Sequence, residues 1–205
     1  MNDYGLPLLE QDLDPDPLRQ FERWFTDAGA AGVRLPEAAA VATASADGAP
    51  SVRMVLVKGF DERGFVFFTN YASRKGMELA ANPRAALMFY WDPLGRQVRL
   101  EGPVTRTSAE ETAAYARSRP RGSQLSALAS PQSQPVASRE ELERRVVELR
   151  DRYGEGELPL SDEWGGFRVD PQSIEFWQQR HDRLHDRLVY RRAQDAGWRV
   201  ERLAP

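Results

Sequence analysis

The sequence predicts an α+β protein, mainly β with helices, built as a small closed or split antiparallel β-barrel. Three observations predict it. Short apolar runs recur along the chain with tight-turn signals between them, at Asp47-Gly48, Asp61-Glu62-Arg63-Gly64 and Asp92-Pro93-Leu94-Gly95. Helix-start signatures fall between those runs, at Ser73 and at the capping boxes Ser108/Glu111 and Ser138/Glu141. No solenoid-length repeat and no long linker interrupts the pattern, so residues 14–205 read as one domain behind a loose, flexible acidic arm over 1–13. Hairpin-joined strands with helices inserted between them bury their apolar faces by closing into a small barrel with helices packed around it.

The elements follow in order. Leu18, Phe21, Trp24 and Phe25 have helical spacing, giving an amphipathic helix from Asp14 to about Gly29. Strands are expected at Ala39 to Ser45, Ser51 to Lys58 and Phe65 to Asn70, a three-stranded meander. Ser73 caps a short helix that Asn82-Pro83 stops near Ala81. Arg84 to Trp91 and Gln97 to Val104 form the next hairpin, and the Ser108 box opens a helix to about Arg117. Arg121 to Pro135, rich in Ser, Gln and Pro, reads as a short helix plus loop, and a charged helix runs from Ser138 to about Tyr153. The end returns to strands at Gly166 to Val169, Ser173 to Trp177, Arg187 to Arg192 and Trp198 to Arg202. A barrel this small is filled by its own side chains, so a sizeable ligand belongs on its outside, at a rim or against a second copy.

Composition removes several function classes. The 205 residues hold no cysteine, which excludes disulfides, thiolate metal sites and a cysteine nucleophile. With 28 basic and 31 acidic side chains and a net charge of -3, the chain lacks the basic surplus of a nucleic-acid binder. Its longest strongly apolar run, Ala85 to Trp91, falls far short of a membrane span, and no signal peptide is apparent, so a cytoplasmic protein is expected. Only Lys58 and Lys75 among the basic residues are lysine. In so arginine-biased a chain, either lysine can mark a need for a compact ammonium.

Four groups of side chains are candidates for chemistry. Arg183, His185 and Arg187 are spaced to share one face of an extended segment, where two guanidiniums flanking an imidazole suit an anion or a flat ring. A solvated edge strand of alternating charge explains the same spacing. Arg53, Lys58, Arg74 and Lys75 make a second group, with Ser73-Arg74-Lys75 offering helix N–H groups and cations to a phosphate. Ordinary solvated cations explain this group as well. Arg53 and Lys58, five apart, face opposite sides of a regular strand, so they serve different groups or a bulge intervenes. Tyr115, Arg119 and Ser123 form the third group, with Tyr115 and Arg119 one helical turn apart if the helix runs that far, or with Arg119 simply packed on a ring. Gln132-Ser133 in the proline-flanked loop and Gln97 on a strand carry little signal of their own, and Trp164 and Trp177 read as core or interface aromatics. The two histidines lack a metalloprotease frame, no metal is expected, and no phosphate-binding glycine loop or hydrolase elbow is present. Any redox or transfer chemistry therefore needs a bound cofactor.

The ordered stretches Arg53-Met-Val-Leu-Val-Lys58, Phe68-Thr69-Asn70, Ser73-Arg74-Lys75, Ser118-Arg119-Pro120-Arg121, Trp164-Gly165-Gly166-Phe167-Arg168, Glu175-Phe176-Trp177-Gln178 and Arg183-Leu184-His185-Asp186-Arg187 strongly resemble the pyridoxine/pyridoxamine 5′-phosphate oxidase family. The likeness runs from about Asp16 to Pro205. It implies an FMN-binding split barrel, a homodimer with two FMN sites at the subunit interface, and oxidation of pyridoxine 5′-phosphate and pyridoxamine 5′-phosphate to pyridoxal 5′-phosphate. In that reaction O2 is reduced to hydrogen peroxide and the amine yields ammonia. By position, the resemblance implies FMN contacts at Arg53, Met54, Val55, Leu56, Val57, Lys58, Phe68, Thr69, Arg74, Lys75, Gln97, Gln132, Ser133, Trp177 and Arg187. It implies substrate contacts at Lys58, Tyr115, Arg119, Ser123, Arg183, Leu184 and His185, with Arg183 and His185 catalytic. Two ligand phosphates would account for two cationic groups.

The chain departs from the family pattern twice. Phe68 stands where many relatives have tyrosine, and Gln178-Gln179-Arg180-His181-Asp182 replaces a stretch that often contains glycine. Other split-barrel chemistries (deazaflavin reduction, haem handling) and a ligand carrier without turnover remain alternatives at this stage.

Overall fold

A computed structural model describes residues 7–194 and 197–205. Helix α1 (Pro17–Ala30) is followed by β1 (Ala38–Ala44), β2 (Pro50–Asp61), β3 (Gly64–Asn70), α2 (Arg74–Ala81), β4 (Arg84–Trp91) and β5 (Arg96–Arg106). Helices α3 (Ala109–Ser118), α4 (Arg121–Ala129) and α5 (Arg139–Tyr153) come next, then β6 (Trp164–Val169), β7 (Ser173–Gln178), β8 (Asp186–Arg192) and β9 (Trp198–Arg202). The expected α+β split barrel is what forms.

All pairings are antiparallel, and the strands β1-β2-β3-β6-β5-β4 close on themselves as a six-stranded barrel. The split lies along β5. One edge of β5 pairs with β4 over its length, while the other pairs with β7 through Arg96 to Glu101 and with β6 through Val104 to Arg106. Gly102 sits between the two partners, where a Cβ would collide with the Asp170 carbonyl of the β6–β7 turn. Beyond β7, strands β8 and β9 extend the sheet away from the barrel.

The interior is filled by alternating side chains such as Val41, Val57, Phe67, Leu87, Phe89 and Leu100, all buried. Helix α1 starts as its sequence dictates, with Pro17 in the first turn and the Asp16 carboxylate accepting the Leu18 N–H at 2.9 Å. Its Phe21 sets the ring edge-on to Phe60, Phe65 and Phe89, each at 4.9 Å between centroids, at one end of the barrel. At the other end α2 packs on β1.

Within the N-terminal arm, residues 1–6 lie outside the described residues. Leu8 is buried, its N–H donates to Asp186 Oδ2 at 3.1 Å, and the Arg202 guanidinium reaches Glu10 at 2.8 Å and the Leu8 carbonyl at 2.9 Å. This stretch is therefore docked on the C-terminal strands. Among the described residues no helix is long and apolar enough to cross a membrane.

Candidate active site

A cavity of about 380 Å³ opens on the outer face of the barrel beside α3 and α4. It gathers Leu56 and Lys58 from β2, Phe68 and Thr69 from β3, Tyr115 from α3, Arg119 after it, and Gln132 from the loop beyond α4. Lys58 lies two residues beyond Leu56 and shares its outer face by strand alternation, and the β2–β3 register shifts at the lysine, between Val57 and Gly59. Arg53 pairs with the fully buried Val41 and so lies on the inner face, whereas Lys58 shares the outer cavity with Leu56. The two cations face apart, as regular strand spacing expects, and the bulge lies at Lys58 itself. The Lys58 ammonium meets the Glu37 carboxylate at 3.2 Å.

Three aromatic planes stack along the cavity wall. The Phe68 ring lies 4.0 Å from Tyr115 at 23° and 5.5 Å from Trp164 at 15°. The Arg119 guanidinium sits over Trp164, 4.8 Å from the ring centroid. The expected helical pairing of Tyr115 with Arg119 needs correction, because α3 ends at Ser118 and Arg119 is extended at φ -73°, ψ 147°. Pro120 follows it and disfavours helical backbone at Arg119. The pair is nevertheless reunited through Trp164. No described carboxylate contacts the Arg119 guanidinium, and burial lowers its pKa. An unpaired, partly desolvated guanidinium in a cavity is a seat for an anion.

Behind the Thr69–Gln132 wall lies the second cation. The Lys75 ammonium is buried and donates to Thr69 Oγ1 at 3.0 Å and to Gln132 Oε1 at 2.9 Å. Both partners are neutral, and burial, followed by repulsion from Arg53, pushes its pKa down to about 8. Ser73 caps α2 by accepting the Gly76 N–H at 3.3 Å, which brings the helix N-terminus and Arg74 to the same place. Arg53 donates from Nη1 to Thr43 Oγ1 at 2.5 Å, and its Nη2 meets both Ser51 and Glu78.

The remaining predicted residues form a separate row. Register places Tyr90, Gln97, Trp177 and Arg187 opposite one another across β4, β5, β7 and β8. Arg187 is clamped by the buried Glu175 at 2.7 Å, which raises its pKa, and Arg99 meets the same carboxylate at 2.8 Å. The His185 ring lies 4.6 Å from Trp177, and its Nδ1 accepts the Arg180 N–H at 3.1 Å. That bond assigns the ring proton to Nε2, which is left to donate. The expected shared strand face of Arg183, His185 and Arg187 is also corrected. β8 begins only at Asp186, and Asp182 (φ 56°) and Arg183 (φ 60°) turn the chain through left-handed backbone. Two such non-glycine residues in succession are strained, a condition met at functional turns. Arg183 and Leu184 stand exposed at this turn.

Several carried-over positions do not meet the cavity. Val55 and Val57 turn their side chains into the core, so only their backbone can touch a ligand. Met54 projects outward, 64% exposed. Ser123 sits in the first turn of α4, and it is Ser126, three residues on, that lines the cavity. Ser133, at φ 71°, lies beside Gln132 and not on the wall. Sequence reasoning missed Trp164 and Glu78 as site residues. Trp164 was visible as the start of the Trp-Gly-Gly-Phe-Arg stretch, where Gly166 admits the Phe68 ring edge that a Cβ would strike. Glu78 left no signal beyond being one more acid on a short helix.

A closed antiparallel barrel split along one strand, with cations and stacked aromatics on its outer face, defines the class of split-barrel ligand-binding proteins. A pyridoxamine 5′-phosphate oxidase-related FMN binding protein from Nostoc punctiforme shares this fold, with a TM-score of 0.73 at 19% identity over 93% of this chain and 98% of that one. PhzG from Burkholderia lata, solved with tetrahydrophenazine-1-carboxylic acid, is similar at a TM-score of 0.90 and 33% identity over 97% and 98% of the two chains. The pyridoxine/pyridoxamine 5′-phosphate oxidases of Rubrobacter xylanophilus and Trichormus variabilis are 59% and 53% identical, over 97% and 99% of this chain and 91% and 95% of theirs. Residues 25–153 match the pyridoxamine 5′-phosphate oxidase family model, and residues 164–205 match that of the pyridoxine 5′-phosphate oxidase C-terminal dimerisation region. The chain belongs to the pyridoxamine 5′-phosphate oxidase family.

Proposed function

We propose that this protein is an FMN-dependent oxidase converting pyridoxine 5′-phosphate and pyridoxamine 5′-phosphate to pyridoxal 5′-phosphate, acting as a homodimer. The observation that carries this reading is a pair of anion seats on the two sides of one wall, Lys75 behind Thr69 and Gln132, and Arg119 in front beside Lys58 and Tyr115. One ligand phosphate on each fits a phosphorylated cofactor next to a phosphorylated substrate.

The residues present fit FMN. A buried ammonium with only neutral partners lacks one anion, which the FMN phosphate supplies, with Arg53, Arg74 and the start of α2 completing the cradle. Bound there, FMN would supply the two-electron redox chemistry that oxidises the substrate at C4′ with O2 as final acceptor, the products being hydrogen peroxide and, when the substrate is the amine, ammonia after hydrolysis. Lys58, Tyr115 and Arg119 hold the substrate phosphate, which orients the ring and lowers the entropic cost of reaction. Arg183 and His185 orient the pyridine, His185 through its free Nε2–H.

Gln97, Trp177 and Arg187 complete the site from a second copy. Going outward around the barrel from β2, Arg187 on β8 is five strand spacings away, roughly 24 Å at about 4.8 Å per strand. That is farther than one nucleotide-sized ligand spans within a single chain. The sheet face between them carries Val52 (68% exposed), Met54, Leu56, Met88 and Tyr90, an apolar patch fit to be covered by the same patch of a partner.

The test is the visible spectrum of the FMN-loaded protein before and after pyridoxine 5′-phosphate is added without oxygen. Flavin bleaching that air reverses is expected; a bound flavin that stays yellow would sink the substrate assignment. A second reading is favoured by the likeness to PhzG, since the Arg119 seat accepts a carboxylate as readily as a phosphate. Substrate reduction that is indifferent to the 5′-phosphate would favour it.

Two further outcomes are expected. The Lys75 ammonium titrates near 8 in the free protein, and a phosphate beside it favours the charged form, so binding takes up a proton once the pH exceeds that value. FMN affinity should be flat between about pH 7 and 8, above the phosphate's second pKa of about 6, and fall above it, by up to about tenfold per pH unit. Titrations at stepped pH check this, and an affinity unchanged from pH 7 to pH 10 would remove Lys75 from the seat. Arg183→Ala or His185→Ala should lower turnover by about 100-fold while changing FMN affinity little, as for groups acting in proton transfer and positioning. Equal loss of turnover and FMN affinity would contradict the roles given to them.

A further inference from the structure

Glu78 projects from α2 into the end of the barrel and is 7% exposed. Its Oε2 accepts from Ser51 Oγ at 2.5 Å, from the Thr43 hydroxyl and from Arg53 Nη2 at 3.3 Å. Its Oε1 accepts from Arg74 Nε at 2.9 Å. Among the described residues it is the one carboxylate in ion-pair contact with Arg53 or with Arg74. Despite burial, these four donors hold its pKa down to about 2, so the carboxylate is charged at every working pH.

We propose that Glu78 is a positioning residue for phosphate binding, the buried strut that ties Arg53 and Arg74 into one fixed cationic pair beside Lys75. The inference rests on the reading of that seat as the one for the flavin phosphate. Three cations converge there, and Arg53 already depresses the Lys75 pKa. Without an internal counter-charge, their mutual repulsion would spread the long side chains into solvent before any ligand arrived. Glu78 offsets one of the three charges and spends only Nε of Arg74. Its two terminal nitrogens make no hydrogen bond or ion pair among the described residues and stay available to a phosphate. Arg74 needs that tether most, since its side chain is 62% exposed and otherwise free to rotate. Preorganised guanidinium donors bind phosphate tightly because little rotamer freedom is lost on binding.

The role predicts the sign of a substitution. Were Glu78 only a nearby negative charge, Glu78→Gln would raise the local positive potential and tighten FMN. As a strut, it must do the opposite, because an amide cannot accept from Thr43, Ser51, Arg53 and Arg74 together. The experiment measures FMN and riboflavin affinities of the full-length protein by flavin fluorescence, for the natural sequence, Glu78→Gln and Glu78→Asp. Riboflavin lacks the phosphate and serves as the internal reference. Expected is an FMN affinity weakened about tenfold or more in Glu78→Gln, the scale of one lost charge-assisted hydrogen bond, with riboflavin affinity unchanged. Glu78→Asp, which keeps the charge but shortens the reach, should fall between. If Glu78→Gln does not fold, Glu78→Asp carries the test alone, and its FMN preference should drop while its riboflavin affinity holds. An unchanged or tightened FMN affinity, or equal weakening of both flavins, overturns the strut. A natural protein that does not prefer FMN to riboflavin overturns the phosphate seat itself, and the strut with it.

Discussion

Arg119→Ala is expected to raise the KM for pyridoxine 5′-phosphate by about 100-fold or more while leaving FMN affinity within about twofold. The guanidinium enters the cavity with no carboxylate partner among the described residues and lies over the Trp164 face at 4.8 Å, which leaves its charge open to a ligand. Losing two charge-assisted hydrogen bonds to one phosphate costs about 3 kcal/mol or more, which is the stated factor. On the proposed function FMN is spared, because its phosphate would sit on Lys75, behind the Thr69–Gln132 wall. Steady-state kinetics with pyridoxine 5′-phosphate and with unphosphorylated pyridoxine check the assignment. The preference for the phosphorylated substrate should shrink by about that factor in the variant, the remainder being held by Lys58 and Tyr115. If the variant still prefers the phosphorylated form by the original factor, the substrate phosphate binds elsewhere.

Met88→Asp is expected to separate the dimer and to lower FMN affinity at least 100-fold. Met88 stands in one row with Ala40 and Met54 on the outer face, in a patch that also exposes Leu56 and Tyr90. In a two-fold interface one substitution acts on both copies, and it buries two carboxylates without partners. The flavin should be lost with the dimer if, as proposed, Trp177 and Arg187 reach it from the second copy. Sedimentation velocity gives the oligomeric state, and gel filtration shows whether flavin stays with the protein. A monomer that keeps FMN at full affinity would mean that one chain holds the complete site. The variant should stay folded, since Met88 is 37% exposed and faces away from the barrel core.

Much of the fold was legible because it is written in local chemistry. The apolar run along Arg84 to Trp91, the glycines of the Asp47-Gly48 and Arg63-Gly64 turns, and the Ser108/Glu111 box act within a few residues, and the elements appear where those signals lie. The closure of the barrel and its split were legible only as a class. Which strand β5 leaves for β7 depends on Gly102 meeting the Asp170 carbonyl, a contact between residues far apart in sequence. The errors share a physical cause. The helical pairing of Tyr115 with Arg119 failed at Ser118, and the extended segment over Arg183 failed at two left-handed residues. Both lie at element ends, where local propensity is weakest and tertiary contacts decide.

The sequence by itself determined the barrel class and the order of its elements, because periodicity and turn chemistry are local properties; it named the cations but grouped Lys58 with Arg53, Arg74 and Lys75, whereas the fold places it with Tyr115 and Arg119. Only the tertiary structure decided that Lys75 is a buried ammonium without a counter-charge among the described residues, that Arg119 is presented by Trp164, and that Glu78 joins Arg53 to Arg74. Burial, desolvation and the meeting of charges depend on what the rest of the chain packs against each side chain, and no spacing along the sequence encodes that.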